Sequence, residues 1–325
     1  MKAAVLHDLG KLPVYQDFKD PVPQNDGQIL IKVKAAALAI IDRSRASGKH
    51  YASYTQLPVV VGIDGVGQLE NGKRVYAKGI TGMMAEKALI SKNSFIEIPD
   101  NLDFIKAAAL PISAMGSALA LLARGKMEKG KTVLINGATG VTGQLAVQLA
   151  KYYGASGIIA TGRNPELLEK LKTLGADSTL SLNQDDESIV NKLKEIHSIT
   201  PVDIVIDYLW GHPVELIIKA VKSPGGLNAY TPKVLIVSVG GMAGDNINLS
   251  SGTLRGSDIE ILGSGFGSLS KEDFAKLDQE IIPETFRLAA EGKLKIEVSA
   301  EDLENIEKAW EKGIEAGKRQ VIRIG

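Results

Sequence analysis

The run Val133-Leu134-Ile135-Asn136-Gly137-Ala138-Thr139-Gly140-Val141-Thr142-Gly143 leaves few folds open to this chain. Val133 to Ile135 are apolar and predict a short buried parallel strand. Ala138-x-Gly140-x-x-Gly143 predicts a tight strand-to-helix turn. Gln144 to Tyr153 then predicts a helix packed on a sheet through Leu145, Val147, Leu149 and Ala150. A turn without bulky side chains lets backbone approach a pyrophosphate, and the helix N-terminus adds N–H groups and partial positive charge. The next apolar run, Gly157 to Thr161, ends in Gly162-Arg163-Asn164. A carboxylate there would accept a ribose 2′-hydroxyl, whereas a cation suits a 2′-phosphate. The segment therefore predicts an NADP(H) site built from Ala138, Thr139, Gly140, Val141, Thr142, Gly143, Gly162, Arg163 and Asn164. A glycine turn without a ligand and a solvated arginine form the alternative. The order strand, turn, helix, strand, cation argues against it.

Strands and helices alternate beyond this unit. Strands are predicted at Thr132–Ile135, Gly157–Thr161, Ser178–Leu182, Val202–Asp207, Lys233–Val239 and Ile259–Gly263. Helices are predicted at Gln144–Tyr153, Pro165–Leu174, Asp186–His197 and His212–Val221. That alternation is the signature of a doubly wound parallel sheet. The first hundred residues read differently. Short apolar runs (Ala3 to Leu6, Gln28 to Ala36, Val59 to Val61, Lys73 to Ala77, Glu86 to Ile90) are punctuated by Pro and Gly, which predicts a β-rich, barrel-like domain. From Phe104 to Ala123 the pattern is helical except at Pro111. A long helix (Lys271 to Glu291), a helical Glu301–Gly317 and a last strand, Gln320–Ile324, close the chain.

Composition excludes several functions. With 38 basic and 38 acidic residues there is no net field for nucleic acid or an anionic membrane, and no basic patch interleaved with aromatics suggests RNA binding. There is no cysteine, so disulfides and thiolate-ligated zinc are ruled out. The four histidines (His7, His50, His197, His212) form no i, i+4 pair, and no metal site is expected. The N-terminal apolar run is too short for a signal peptide, and Ala107 to Ala123, broken at Pro111, falls short of a membrane span. A soluble, cytoplasmic protein is the expectation.

Several further motifs carry a family resemblance. Leu57-Pro58-x-x-x-Gly62-x-Asp64-Gly65-x-Gly67, Gly82-Met83-Met84-Ala85-Glu86-Lys87, Ala107-Ala108-Ala109-Leu110-Pro111, the glycine turn and Leu174-Gly175-Ala176-Asp177 occur in one order over nearly the whole chain. Together they resemble the medium-chain dehydrogenase/reductase superfamily, and within it the zinc-free quinone oxidoreductase branch. The resemblance implies an α/β protein with a GroES-like β-barrel catalytic domain (1–122 and 268–325) and a doubly wound Rossmann NADP-binding domain (123–267). The zinc alcohol dehydrogenases of the superfamily use a Cys, a His beside a Glu, and a further Cys. Ala39 and Ile63 stand at the first two positions, beside Asp64, and the alcohol-relaying hydroxyl falls at Ile41. Zinc-assisted alcohol oxidation is therefore excluded on ligand chemistry.

The zinc-free branch reduces quinones, enals or enones with hydride from NADPH. Negative charge grows on the substrate carbonyl oxygen, which calls for positioning and a hydrogen-bond donor. The branch motif Asn-Pro-x-Asp…Arg-x-Gly-x-Tyr appears here as Ala39-Ile40-Ile41-Asp42…Arg45-Ala46-Ser47-Gly48-Lys49-His50-Tyr51, with Ala39 in place of the Asn. Tyr51 is the expected donor, with Tyr54 in reserve. A barrel-loop tyrosine that merely packs its ring is the competing reading. Asp42 is placed with the catalytic group, ordering its own loop through Arg43 or Arg45. Asp64 is expected to be structural and His50 solvated. Ser117 is placed by the resemblance beside the nicotinamide, against a plain helix serine bonded back to a carbonyl. Gly240-Gly241-Met242 and Gly263-Ser264-Gly265-Phe266 end the fifth and sixth strands, so Gly240, Gly241, Gly263, Ser264 and Phe266 are assigned to the nicotinamide half. Leu182 replaces a tyrosine common near the 2′-phosphate, while Lys170 and Lys172 read as solvated. The expected activity is an NADPH-dependent reductase of quinones or α,β-unsaturated carbonyls, homodimeric through Arg255 to Phe266 by analogy with the family. An NADP(H)-binding sensor on a degraded scaffold is the alternative.

Overall fold

The computed structural model describes residues 1–225 and 231–325. The chain divides into two compact units, Met1–Ile112 with Asp278–Gly325, and Ser113–Leu277. These boundaries lie about ten residues from the expected 122/123 and 267/268.

Strands in the first unit are β1 (Lys2–Leu6), β2 (Val14–Asp17), β3 (Gln28–Ala37), β4 (Val59–Val60), β5 (Asp64–Gln68), β6 (Arg74–Gly79) and β7 (Lys87–Glu97). In chain order their last partners are β14 (Val298–Asp302) and β15 (Arg319–Arg323). One sheet runs β14-β15-β3-β5-β6-β7, and β3 pairs with β7 as well as β5, which closes the four strands on themselves. The smaller sheet is β2-β1-β4. Closure removes edges that would otherwise template aggregation. Leu6, Ile31, Leu38, Met83, Met84, Ile90, Trp310 and Ile322 fill the interior. The expected runs at Ala3, Gln28, Val59 and Lys73 are all strands, and the run at Glu86 extends to Glu97. β5 was missed because its glycines read as punctuation. A Cβ on Gly67 would stand 2.1 Å from the Lys32 carbonyl oxygen, so the glycine allows β5 to cross β3 at its irregularity between Val33 and Ala35.

Two expectations need correction. Pro111 does not interrupt its segment: it lies inside the helix Phe104–Ala114, which runs on as a π-helix, Met115–Arg124. A proline in a helix lacks only its own N–H donor to the carbonyl four residues back, so the helix continues past it with one ladder bond fewer. This 21-residue run is also long and apolar enough, by length and composition, to cross a membrane. Of its apolar window 67% is buried inside the protein, as in a core helix. Glu301–Gly317 is not one helix: Glu301 and Asp302 belong to β14, followed by a 3-10 turn and a short helix, Ile306–Glu311. Parallel pairing of Val298–Asp302 with Arg319–Arg323 outweighs the helical preference of the acidic run.

Among the described residues of the second unit six strands pair in parallel: β8 (Thr132–Asn136), β9 (Gly157–Gly162), β10 (Ser178–Ser181), β11 (Ile204–Asp207), β12 (Val234–Ser238) and β13 (Ile259–Gly263). Their order is β10-β9-β8-β11-β12-β13. The connection reverses direction between β8 and β11, the switch point beyond whose carboxyl ends ligands bind in such sheets. Every strand and helix expected here is present, and Pro165–Leu174 and Ile259–Gly263 match end to end. The first helix begins at Val141, three residues before the expected start.

Candidate functional site

Register places three polar residues in one row at the carboxyl ends of the central strands. Asn136 of β8 lies opposite Thr161 of β9 on one side and Asp207 of β11 on the other. All three are fully buried. Thr161 Oγ1 donates to Asn136 Oδ1 at 2.6 Å, and Asn136 Nδ2 donates to Asp207 Oδ1 at 2.7 Å. Asp207 also accepts the N–H groups of Leu209 (3.1 Å) and Trp210 (3.0 Å). Burial raises the Asp207 carboxyl above its ordinary value, opposed by these donors. The network ties the glycine turn, through the Gly137 N–H to Thr161 Oγ1 (3.3 Å), to the 208–210 turn. Trp210 there holds φ of 54°, a costly conformation for a bulky side chain. Composition gave no hint of this row, because Asn136 and Asp207 each stand alone at the end of an apolar run.

The glycine turn divides its labour differently from expectation. The bend itself falls on Gly137, at φ of 84°, not on Ala138. Gly143 permits close packing: a Cβ on it would stand 2.6 Å from Ala138 Cα. A Cβ on Gly140 would meet only the Gly137 carbonyl oxygen, at 3.6 Å, so the backbone at this helix N-cap is open. The Gln144 N–H donates to the Gly140 carbonyl at 2.9 Å, closing the first helical turn. Val141, Thr142 and Gly143 thus form the first turn, the part of a helix that attracts anions. Thr139 lies over Gly162, where a Cβ would stand 2.4 Å from Thr139 Cγ2.

Arg163 follows directly, with its side chain exposed. Asn164 caps the helix Pro165–Leu174, its Oδ1 accepting the Leu167 N–H at 3.0 Å, so this oxygen serves the fold. Leu182 is partly buried against the core cluster of the second unit, and Lys172 pairs with Glu169 on the helix surface. Ser117 is fully buried and its hydroxyl donates to the Ser113 carbonyl at 2.6 Å, the local back-bond set against a cofactor contact. Gly240 packs against the Tyr208 carbonyl oxygen, 2.8 Å from where its Cβ would be. Gly241 stands beside Gly244 in the same loop, and Met242 is exposed. The Ser264 N–H donates to the Ser238 carbonyl at 2.8 Å and the Gly263 carbonyl accepts Arg124 Nε at 2.8 Å. Phe266 opens a 3-10 turn, and its side chain lies outside the described part of the structure.

In the first unit the helix Ile40–Ala46 carries Asp42. The carboxylate is buried and accepts the Ala39 N–H at 2.9 Å and the Ile63 N–H at 3.2 Å. Burial pushes it up to about 7, with the Asp64 charge adding and the two N–H groups opposing. Asp42 therefore orders its loop through backbone, not through Arg43 or Arg45 as expected. Arg43 instead bonds the Ala309 and Trp310 carbonyls and Gln320 Oε1. Asp64 is likewise buried, bonded by Tyr76 Oη at 2.8 Å and pushed up to about 6 by desolvation. Tyr51 is 80% exposed and its ring leans on His50 at 4.1 Å between centroids. Tyr54 has the opposite setting. Its ring lies 4.3 Å under the Arg45 guanidinium, its hydroxyl is enclosed beside the Gly62 backbone with no well-formed hydrogen bond among the described residues, and burial pushes it up to about 12. An enclosed hydroxyl cannot meet a ligand, so of the two tyrosines Tyr51 alone presents a donor at the surface. Among the described residues no group of three or more His, Asp or Glu could hold a metal ion.

Known proteins share sequence and fold with this chain. The zinc-binding dehydrogenase family matches residues 141–282. An NADPH-dependent alkenal/one oxidoreductase of Arabidopsis thaliana chloroplasts is 34% identical over 258 residues, 72% of this chain and 63% of that protein. The chain thus spans less than two thirds of this relative's length. Quinone oxidoreductase of Sus scrofa is 28% identical over 277 residues, covering 82% of this chain and 79% of that one. The fold matches that of quinone oxidoreductase from Thermus thermophilus, a protein also solved in complex with NADPH. Its TM-score is 0.78 with 23% identity over the full length of both chains.

Proposed function

The chain belongs to the medium-chain dehydrogenase/reductase superfamily, in its quinone oxidoreductase-like branch, and from that premise we propose that it is an NADPH-dependent, zinc-free reductase of quinones or α,β-unsaturated carbonyls. The observation that carries the reading is the open Gly140 backbone at a helix start, one strand away from the exposed Arg163. Gly140, Val141 and the first helical turn would hold the pyrophosphate, and Arg163 the 2′-phosphate. Gly240, Gly241, Gly263, Ser264 and Phe266 are proposed for the nicotinamide half. Ser117 is not carried forward, since its hydroxyl is spent inside the helix. When bound, the dinucleotide supplies a hydride from its nicotinamide ring.

The barrel's contribution is a donor and a fixed loop. Tyr51 is proposed to donate its phenolic hydrogen to the oxygen on which charge develops, in the manner of an oxyanion hole. Asp42 holds the Ala39 and Ile63 backbones and so acts as a positioning residue. Zinc does not fit the donor set: the side chains of Ala39 and Ile63 carry no lone pairs, and the chain has no cysteine. A homodimer is part of the proposal. β13 is the edge of the parallel sheet, and the helix Ser251–Gly256 buries none of its side chains, Leu254 included. A cytoplasmic location goes with this reading.

Mixing the protein with NADPH and a panel of quinones, alkenals and alkenones, and following loss of NADPH absorbance, tests the proposal. Turnover on at least one class is expected, reduced in Tyr51→Phe. Tight NADPH binding without turnover on any class would favour the sensor reading, to which Ala39 at the usual asparagine position also points.

A further inference from the structure

We infer that Asn183 is a specificity-determining residue: by fixing the backbone on both sides of Arg163, the exit of β10 sets the discrimination between 2′-phosphorylated and unphosphorylated dinucleotides. The inference rests on the NADPH reading above and adds to it a residue outside the glycine turn and the Arg163 segment.

Two peptide groups flank Arg163, and each is held from the exit of β10. The Leu182 N–H donates to the Gly162 carbonyl at 2.7 Å, which fixes the peptide plane preceding Arg163. Asn183 Nδ2 donates to the Arg163 carbonyl at 2.8 Å, which fixes the plane following it. Asn183 is itself anchored, its own N–H donating to Ser181 Oγ at 3.2 Å. Immediately downstream, the Asn164 side chain caps the next helix through the Leu167 N–H. Both backbone torsions of Arg163 are thus restrained from a neighbouring strand, and its Cα–Cβ direction is set while the guanidinium stays in solvent. A planar, forked donor recognises a phosphate best when its approach is fixed in advance, because less freedom is lost on binding. Only the second of the two restraints comes from a side chain. The backbone N–H supplies the first for any residue but proline at 182, whereas the restraint on the Arg163 carbonyl needs a side-chain donor at 183. Asn183 is exposed, so its truncation leaves no cavity in the core.

The test is a double-mutant cycle on cofactor binding. Dissociation constants for NADPH and for NADH are measured by titration on the full chain for the wild type, Asn183→Ala, Arg163→Ala and the double variant, with thermal midpoints alongside. Asn183→Ala is expected to lower the NADPH-over-NADH preference by about three- to tenfold, the worth of one hydrogen bond, through weaker NADPH binding at unchanged NADH binding. In the Arg163→Ala background the same change is expected to leave the ratio where it stands, because Asn183 acts through Arg163. Equal weakening toward both cofactors would make Asn183 merely structural and overturn the inference, as would an unchanged ratio. If Arg163→Ala lowers the preference and Asn183→Ala does not, this inference fails and the NADPH reading stands. If Arg163→Ala itself leaves the preference unchanged, the reading on which it rests fails.

Discussion

Thr139 and Gly162 interlock: the threonine methyl lies 2.4 Å from the point where a β-carbon on Gly162 would sit. Thr139 belongs to the glycine turn and Gly162 ends β9, so the contact fastens the turn to the strand that presents Arg163. Threonine is short and stiff at χ1 and cannot swing away. Gly162→Ala is expected to destabilise the protein by about 1–3 kcal/mol through overpacking and to weaken NADPH binding by displacing the turn. Adding Thr139→Gly should restore much of both, and denaturant titration with cofactor titration on the three variants checks it. Full wild-type stability in Gly162→Ala would remove this account of the glycine.

Asp207 should be the costliest residue of the strand-end row to truncate. Asp207→Ala leaves the Asn136 side chain and two backbone N–H groups without their acceptor, and about 3 kcal/mol or more is expected from several lost bonds to a charged group. The strained Trp210 turn would lose its hold as well. Urea unfolding measures the loss. A change below about 1 kcal/mol, the worth of a single ordinary hydrogen bond, would show that the row does not organise the strand ends.

Asp42 gives a pH dependence whose sign is fixed. Its carboxyl titrates near 7 in the folded protein against an ordinary 3.8, so between those values the folded state holds more protons than the unfolded one. Stability from this group therefore falls as pH rises from about 4 to about 7. In Asp42→Asn the group no longer titrates. Unfolding free energies measured from pH 4.5 to 8 should show the wild type losing ground to the variant as pH rises, with no further change above the window. A parallel pair of curves would contradict the shift.

Tyr76 tests the other buried carboxylate. Its hydroxyl bonds Asp64 at 2.8 Å, and its ring meets Phe286 edge-on at 6.1 Å between centroids. Tyr76→Phe keeps the ring contact and removes the bond to a buried acceptor, at an expected cost of about 1.5–3 kcal/mol. A shifted denaturation midpoint at unchanged slope is the anticipated result.

Most of the second unit was legible in the sequence because its strands are uninterrupted apolar runs and its helices carry caps such as Asn164 and Asp185. The barrel was legible only in part. β5 is written in glycines, whose use appears only once Lys32 of β3 is seen passing 2.1 Å from the missing Gly67 side chain. After Val298, β14 is written in residues that favour no strand by themselves, and it exists by pairing with β15. In the site, Arg163 and the glycines could be read from spacing. The bend at Gly137, the Asn136–Asp207 row and the Asn183 contact could not, since each depends on register between strands distant in sequence. Tyr51 and Tyr54 were indistinguishable as letters, and the difference between an exposed and an enclosed hydroxyl is a property of packing.

The glycine turn and Arg163 are together proposed to form a site for a 2′-phosphorylated dinucleotide. Titration of the wild type and Arg163→Ala with NADPH and NADH tests it most directly. The wild type is expected to bind NADPH more tightly than NADH, and the variant to lose about ten- to a hundredfold in NADPH affinity with NADH little changed, as for removal of a charge-assisted contact. Equal affinity of the wild type for the two cofactors, or a preference that survives the loss of Arg163, would contradict it.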